Sequence, residues 1–344
     1  MVKNRILTVF IVTMALSAQI MPVNAKSPKT GDFRFNADGK FKIIQVTDTH
    51  IKWDSPYSLE TVEMLNQALD AEKPDIVIFT GDVVTGKPYQ KGLELVTAPV
   101  IKRGIPWALV YGNHDDEQDL NRAQLSELID KQPYFAGNMK KIKNVSGYGN
   151  YVIEIKGKTG KKPEALLYCM DSRTYSILKP TVDGYGWFAF DQVAWYRRMS
   201  EKYTAANGGD PLPALAFFHI PLLEYRQFDQ HKGRKEGSKM EKECSPEINS
   251  GMFLSMLEKD DVMGTFVGHD HVNDYIFNYY GIALAYGRFS GSKTTYTQLK
   301  NGVRVIELTE NERGFRTWIR LDYETTLGEV KFPDDLKPEE KNEK

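Results

Sequence analysis

Cysteine is nearly missing: the chain has 2 in 344 residues, Cys169 and Cys244. That excludes a disulfide-built scaffold and a cysteine-rich zinc module. Cys169 lies in the apolar run from Ala165 to Met170 and reads as a buried thiol. Cys244 sits in a polar loop. One disulfide between them stays open, and neither stands at zinc-finger spacing from another Cys or His. An excess of charge is missing too, with 45 Lys plus Arg against 46 Asp plus Glu and a net charge of -1. No global field draws the chain to anionic lipid, and without a basic stripe studded with aromatics long nucleic acid is excluded as a partner. Past Ala25 no apolar run approaches the roughly 20 residues that span a bilayer. No internal repeat is present. Any charged substrate must therefore be held by a local site.

The first residues read as an address rather than as part of the fold. Lys3 and Arg5 form a positive start, Ile6 to Ala18 is apolar, and Val23-Asn24-Ala25 puts small residues where a signal peptidase cuts. Residues 1–25 are expected to be a secretory signal, with export to the periplasm or the exterior. The apolar run is too short for a retained anchor.

The body from residue 26 to 324 reads as one domain. Phe41 to Thr47, Asp75 to Thr80 and Ile105 to Tyr111 are short apolar runs that read as buried strands. Helical spacing fills the gaps, from Ser58 (a candidate N-cap) to Glu72 and from Tyr89 to Arg103. Strand–helix alternation with short connections means an α/β unit with parallel strands. A helix is expected over Asp119 to Lys131. Further strands are expected at Tyr151 to Ile155, Ala165 to Met170, Leu215 to His219 and Val262 to Val267, with helices over Asp191 to Ala206 and Ile248 to Glu258. The closely spaced pieces Tyr275–Tyr279, Ile282–Tyr286, Val303–Leu308 and Phe315–Leu321 read as antiparallel pairs. Together they give two packed sheets with helices outside. Residues 325–344 are charged and punctuated by Pro, and are expected to be loosely held.

Histidine carries the functional signal. There are 6, and all but His231 follow an apolar strand in the company of Asp, Asn or Gly. Asp48 and His50 follow the first strand, Asp82 the second, and Asn113, His114 and Asp115 the third. His219 follows a later strand, and His269 and His271 follow another. Ligands of open α/β sheets bind beyond the carboxyl ends of strands, so these groups are expected at one edge of one sheet. In Asp48-Thr49-His50 and His269-Asp270-His271, alternate residues of extended chain would point the same way. Imidazole with carboxylate suits Zn, Mn and Fe rather than Ca or Mg, and the number of donors fits two ions sharing a carboxylate. His231, in the charged stretch from Asp229 to Lys235, is expected to be solvated.

The ordered set Asp-x-His, Gly-Asp, Gly-Asn-His-Asp, His and Gly-His-Asp-His resembles the calcineurin-like metallophosphoesterase superfamily. The stretches Phe217–Tyr225, Gly268–Tyr275 and Tyr185–Trp195 are similar to a microbial branch related to the purple-acid-phosphatase-29-like proteins. The resemblance implies an α/β fold, a four-layer α-β-β-α sandwich of two mixed sheets. It implies one metal on Asp48, His50 and His271, a second on Asn113, His219 and His269, and Asp82 bridging them. It also implies that His114 is a catalytic, non-ligand histidine. The chain departs from the family at Thr85, where purple acid phosphatases carry a metal-binding Tyr and protein phosphatases an Asp. Asp115 or Asp270 is then expected to orient His114.

The expected chemistry is hydrolysis of a small phosphate ester, monoesters favoured, by a hydroxide that bridges the two ions. Small diesters or nucleotides are the alternative substrates, and a non-enzymatic metal-binding surface protein is a third reading. Arg173 is a candidate for a phosphate oxygen, with a surface ion pair as its other reading. Tyr185 and Trp187 are candidates for the pocket wall, with core packing as theirs.

Overall fold

The computed structural model describes residues 32–337, so the proposed signal segment lies outside the described residues. Fourteen strands and five helices form four layers. The first sheet is built from the α/β unit: β2 (Lys40–Val46), α1 (Pro56–Glu72), β3 (Ile76–Thr80), α2 (Tyr89–Lys102) and β4 (Trp107–Val110), followed by α3 (Arg122–Ile129). Its three strands pair in parallel, as strand–helix alternation requires. The chain returns to this sheet near its end with β12 (Val303–Thr309), β13 (Phe315–Arg320) and β14 (Thr326–Phe332), all antiparallel. The order across the sheet is β14-β13-β12-β2-β3-β4.

The second sheet has β1 (Phe33–Arg34), β5 (Tyr151–Lys156), β6 (Pro163–Cys169), β7 (Ala214–Phe217), β8 (Lys235–Glu236), β9 (Val262–Val267), β10 (Ile276–Tyr279) and β11 (Ile282–Tyr286). Its order is β1-β5-β6-β7-β9-β11-β10-β8. Helices α4 (Phe190–Ala206) and α5 (Met252–Lys259) cover its outer face. The alternation of a strand explains the layering. In β7, Leu215 and Phe217 face the core shared with the first sheet, while Ala214 and Ala216 face the helices.

Three expectations need correction. The tail is not loose from residue 325, because β14 pairs along β13 and buries Val330 and Phe332. Its charges, Glu329 and Lys331, alternate with those residues on the solvent face of an edge strand, and that composition mimics disorder. Residues 338–344 lie outside the described part. Ser58 is not the cap of α1: Pro56 starts the helix, and the Ser58 hydroxyl instead bonds both the N–H and the carbonyl of Lys52. His231 is not fully solvated, since its ring packs on Phe277 at 5.3 Å.

Candidate dinuclear metal centre

The polar groups do not gather at one edge of one sheet. Asp48, His50, Asp82, Asn113 and His114 follow β2, β3 and β4 of the first sheet, while His219, His269 and His271 follow β7 and β9 of the second. The loops that follow these strands come together from the two sheets, and the site lies between them. Hydrogen bonds span the junction, among them one from the His269 N–H to the Asp48 carboxylate at 3.0 Å.

The loops are not extended chain either. Asp48 (φ 53°), His50 (φ 42°), Asp82 (φ 50°) and His269 (φ 81°) all occupy the left-handed region. Each costs on the order of 1–3 kcal/mol and persists only where the surroundings over-determine it. Asp115 supplies much of that restraint. Buried completely, its carboxylate accepts from the N–H groups of Asp82 (3.0 Å), Val83 (2.9 Å) and Gly112 (2.8 Å) and from the Tyr89 hydroxyl (3.2 Å). Gly112 is required by close approach, since a Cβ there would collide with the Asp82 side chain.

Two triads of donor atoms result, Asp48–His50–His271 and Asp82–His219–His269, each within 4.8 Å. In the first, Nε2 of His50 and Nε2 of His271 lie 3.1 Å apart, and Asp48 Oδ1 is 3.6 Å from the latter. In the second, Nε2 of His219 lies 3.2 Å from Nδ1 of His269 and 3.2 Å from Asn113 Oδ1. Asp82 Oδ2 joins them, 3.2 Å from Nε2 of His219 and 3.8 Å from Nε2 of His50. The far sides of two rings are fixed by carbonyls. Nδ1 of His219 donates to Thr80 (2.8 Å) and Nδ1 of His271 to Tyr296 (3.0 Å), leaving each Nε2 aimed into the centre.

The charge balance calls for cations. Among the described ion pairs, the buried carboxylates of Asp48 and Asp82 meet only imidazoles. Burial alone would lower the pKa of His219, but Asp82 and Asp48 outweigh it and raise it to about 10. Burial holds His50 down at about 3. Metal ions at the two triads would supply the positive charge that His219 otherwise carries as a proton. The donor set fits such ions.

His114 stands beside this centre rather than in it. Its N–H donates to Asp82 Oδ1 at 2.8 Å, and its half-exposed ring lies 5.9 Å from that of His50. Neither Asp115 nor Asp270 orients it. Every contact of Asp115 is to loop backbone or Tyr89, so its place among the catalytic groups is also corrected. Asp270 accepts from the Tyr286 hydroxyl and the Cys244 N–H. The ring is held by Glu117, whose carboxylate lies 2.6 Å from Nδ1. Glu117 in turn accepts from the Tyr175 hydroxyl at 3.1 Å. An acid three residues past His114 was the available signal, and Tyr175 left none.

Of the substrate candidates, Tyr185 packs edge-on against the His269 ring at 4.3 Å. Trp187 lines a neighbouring groove with Ile220, Leu222, Met252 and Phe253. Arg173 (φ 74°) makes no side-chain hydrogen bond or ion pair with a described residue. Thr85 donates its N–H to the Ile51 carbonyl, and its hydroxyl is buried without a partner. Both cysteines are free.

The sequence model of calcineurin-like phosphoesterases matches residues 41–273. The chain belongs to the calcineurin-like phosphoesterase family. Among relatives of this chain is the probable inactive purple acid phosphatase 14 of Arabidopsis thaliana, 32% identical over 355 residues, covering 93% of this chain and 88% of the relative. The probable inactive purple acid phosphatase 29 of the same plant is 32% identical over 356 residues, covering 92% and 90%. The crystal structure of a dimetal phosphatase from Danio rerio superposes with a TM-score of 0.59 over 84% of this chain and 98% of that one, at 12% identity, a likeness of fold.

Proposed function

We propose that this phosphoesterase is an active, exported enzyme with two metal ions, hydrolysing small phosphate monoesters, with small diesters as the alternative class. The observation that carries this reading is Asp82, one of whose oxygens lies between His219 and His50 and so between the two triads. Asp48, His50 and His271 would hold one ion, Asn113, His219 and His269 the other, and Asp82 both. Imidazole and carboxylate donors suit Mn, Fe or Zn. Thr85 speaks against an iron–tyrosine pair. When bound, the ions supply an acidified water and positive charge against the phosphate oxygens.

The chain's own residues do the rest. His114, placed beside the centre by its N–H bond to Asp82, delivers a proton to the leaving oxygen. Burial lowers its pKa, but Asp82 and the hydrogen bond to Glu117 outweigh that and raise it, which keeps the acid form available. Arg173, uncommitted, suits a phosphate oxygen. Tyr185 walls the centre at His269. Export rests on the n-region and on the small residues before residue 26.

The names of the two Arabidopsis relatives favour a second reading, a metal-binding protein without turnover. The complete donor set speaks against it. The deciding experiment is hydrolysis of para-nitrophenyl phosphate beside its bis-ester by purified mature protein reconstituted with Mn, Zn or Fe, with Asp82→Ala as control. Metal-dependent turnover absent in the variant supports the enzyme, and the preferred ester separates the substrate classes. Two ions bound without turnover of either ester supports the second reading. No ion bound overturns both.

A further inference from the structure

His269 differs from its neighbours in the centre. His219 and His271 give Nδ1 to carbonyls and aim Nε2 inward. His269 aims Nδ1 inward, and its Nε2 is buried with no hydrogen-bond partner. The residue is only 8% exposed, so water does not readily make up the loss. An orphaned buried donor of this kind costs about 1–3 kcal/mol.

Beside that ring stand two groups the hydrolysis does not use, Cys244 and Asp270. One donor atom from each of Cys244, His269 and Asp270 lies within 4.8 Å of the others. The Asp270 carboxylate is fixed by the Tyr286 hydroxyl (2.5 Å) and the Cys244 N–H (3.2 Å), and that second bond also fixes the cysteine backbone. Cys244 is a free thiol on a half-buried loop.

We propose that Cys244, His269 and Asp270 form a third metal site, for a thiophilic divalent ion such as zinc or cadmium, joined to the dinuclear centre through the His269 ring. Sulfur, nitrogen and oxygen donors suit tetrahedral zinc, with water in the fourth place. On binding, the Sγ–H proton of Cys244 and the Nε2–H proton of His269 pass to solvent, and the ring becomes an imidazolate shared by two ions. The third ion draws on the electron density that Nδ1 offers the dinuclear centre, so it inhibits without touching the phosphate. The proposal rests on the dinuclear reading through His269 alone.

The test is a cadmium titration of the purified protein, with ions counted per chain and the sulfur-to-cadmium charge-transfer absorption recorded. The wild type should hold three ions and show the band. Cys244→Ser should hold two, lose the band and resist cadmium inhibition. Asp270→Asn should weaken cadmium binding at least tenfold. Cys169 is fully buried and does not confuse the band. Two ions in both wild type and Cys244→Ser, with no band, would sink the third site and leave the dinuclear centre standing. One ion in the wild type and none in Cys244→Ser would do the reverse, and no ion in either protein overturns both.

Discussion

The seven donor residues are at most 8% exposed, and four of them hold left-handed backbone. His114, a few ångströms away, has a side chain 39% exposed and one bond from its ring, to an equally exposed Glu117. The candidate ligands are held by strand ends, by Asp115 and by carbonyls behind two of the rings. The proposed acid is held loosely, on a rim open to solvent. Ion binding demands fixed donors, whereas proton delivery tolerates adjustment, because catalytic hydrogen bonds commonly tighten only when substrate is bound.

The contrast can be broken at several points. Asp82→Ala removes the one oxygen between the triads, and both ions and turnover should fall to background by metal analysis and ester hydrolysis. His114→Ala should lower kcat by about 10²–10⁴-fold while ion content stays at the wild-type level. Loss of ions in that variant would show that His114 belongs with the ligands. Asp115→Asn puts an amide against the three N–H donors of the loops, and urea unfolding should show a loss of about 2–3 kcal/mol. Unchanged stability there would mean that the left-handed turns need no such brace.

Glu117→Gln keeps the shape and removes the charge. Because that charge raises the pKa of His114, the alkaline limb of the rate profile should move to lower pH, with kcat down about tenfold and the ions retained. A control far from the centre completes the series. Glu72 accepts from Trp318 (2.9 Å), Arg320 (2.7 Å) and Lys42 (3.1 Å). Burial would raise its pKa, but those three bonds lower it. A depressed carboxylate stabilises above its unfolded pKa of about 4.3 and loses that contribution as pH falls through the folded value. Glu72→Gln should therefore cost about 1–2 kcal/mol at pH 7, a gap that narrows in acid, with kcat unchanged.

The same contrast governs what could be read from the chain. Each candidate donor follows a strand whose apolar run is plain in sequence, so the two clusters and the element positions were legible to within a few residues. Sheet membership was not, because β2 and β7 look alike as isolated strands and only long-range pairing assigns them to different sheets. The left-handed turns were hidden because Asp and His, unlike Gly, do not advertise positive φ. Glu117 was passed over for Asp115, which is nearer in sequence but turned inward. In β14, alternating charge on an edge strand read as disorder.

β12 sits between β13 and β2, so the strand that ends at Asp48 has one edge bare until residues 303–309 arrive. Synthesis runs from the N-terminus at about 5–20 residues per second, so for many seconds the first donors hang from a half-built sheet. Until then the first sheet lacks the neighbour that covers this edge of β2. Donors of this type discriminate poorly between Mn, Fe and Zn. Under the proposed function, the metal supply where these last strands close would then help decide which ions fill the centre.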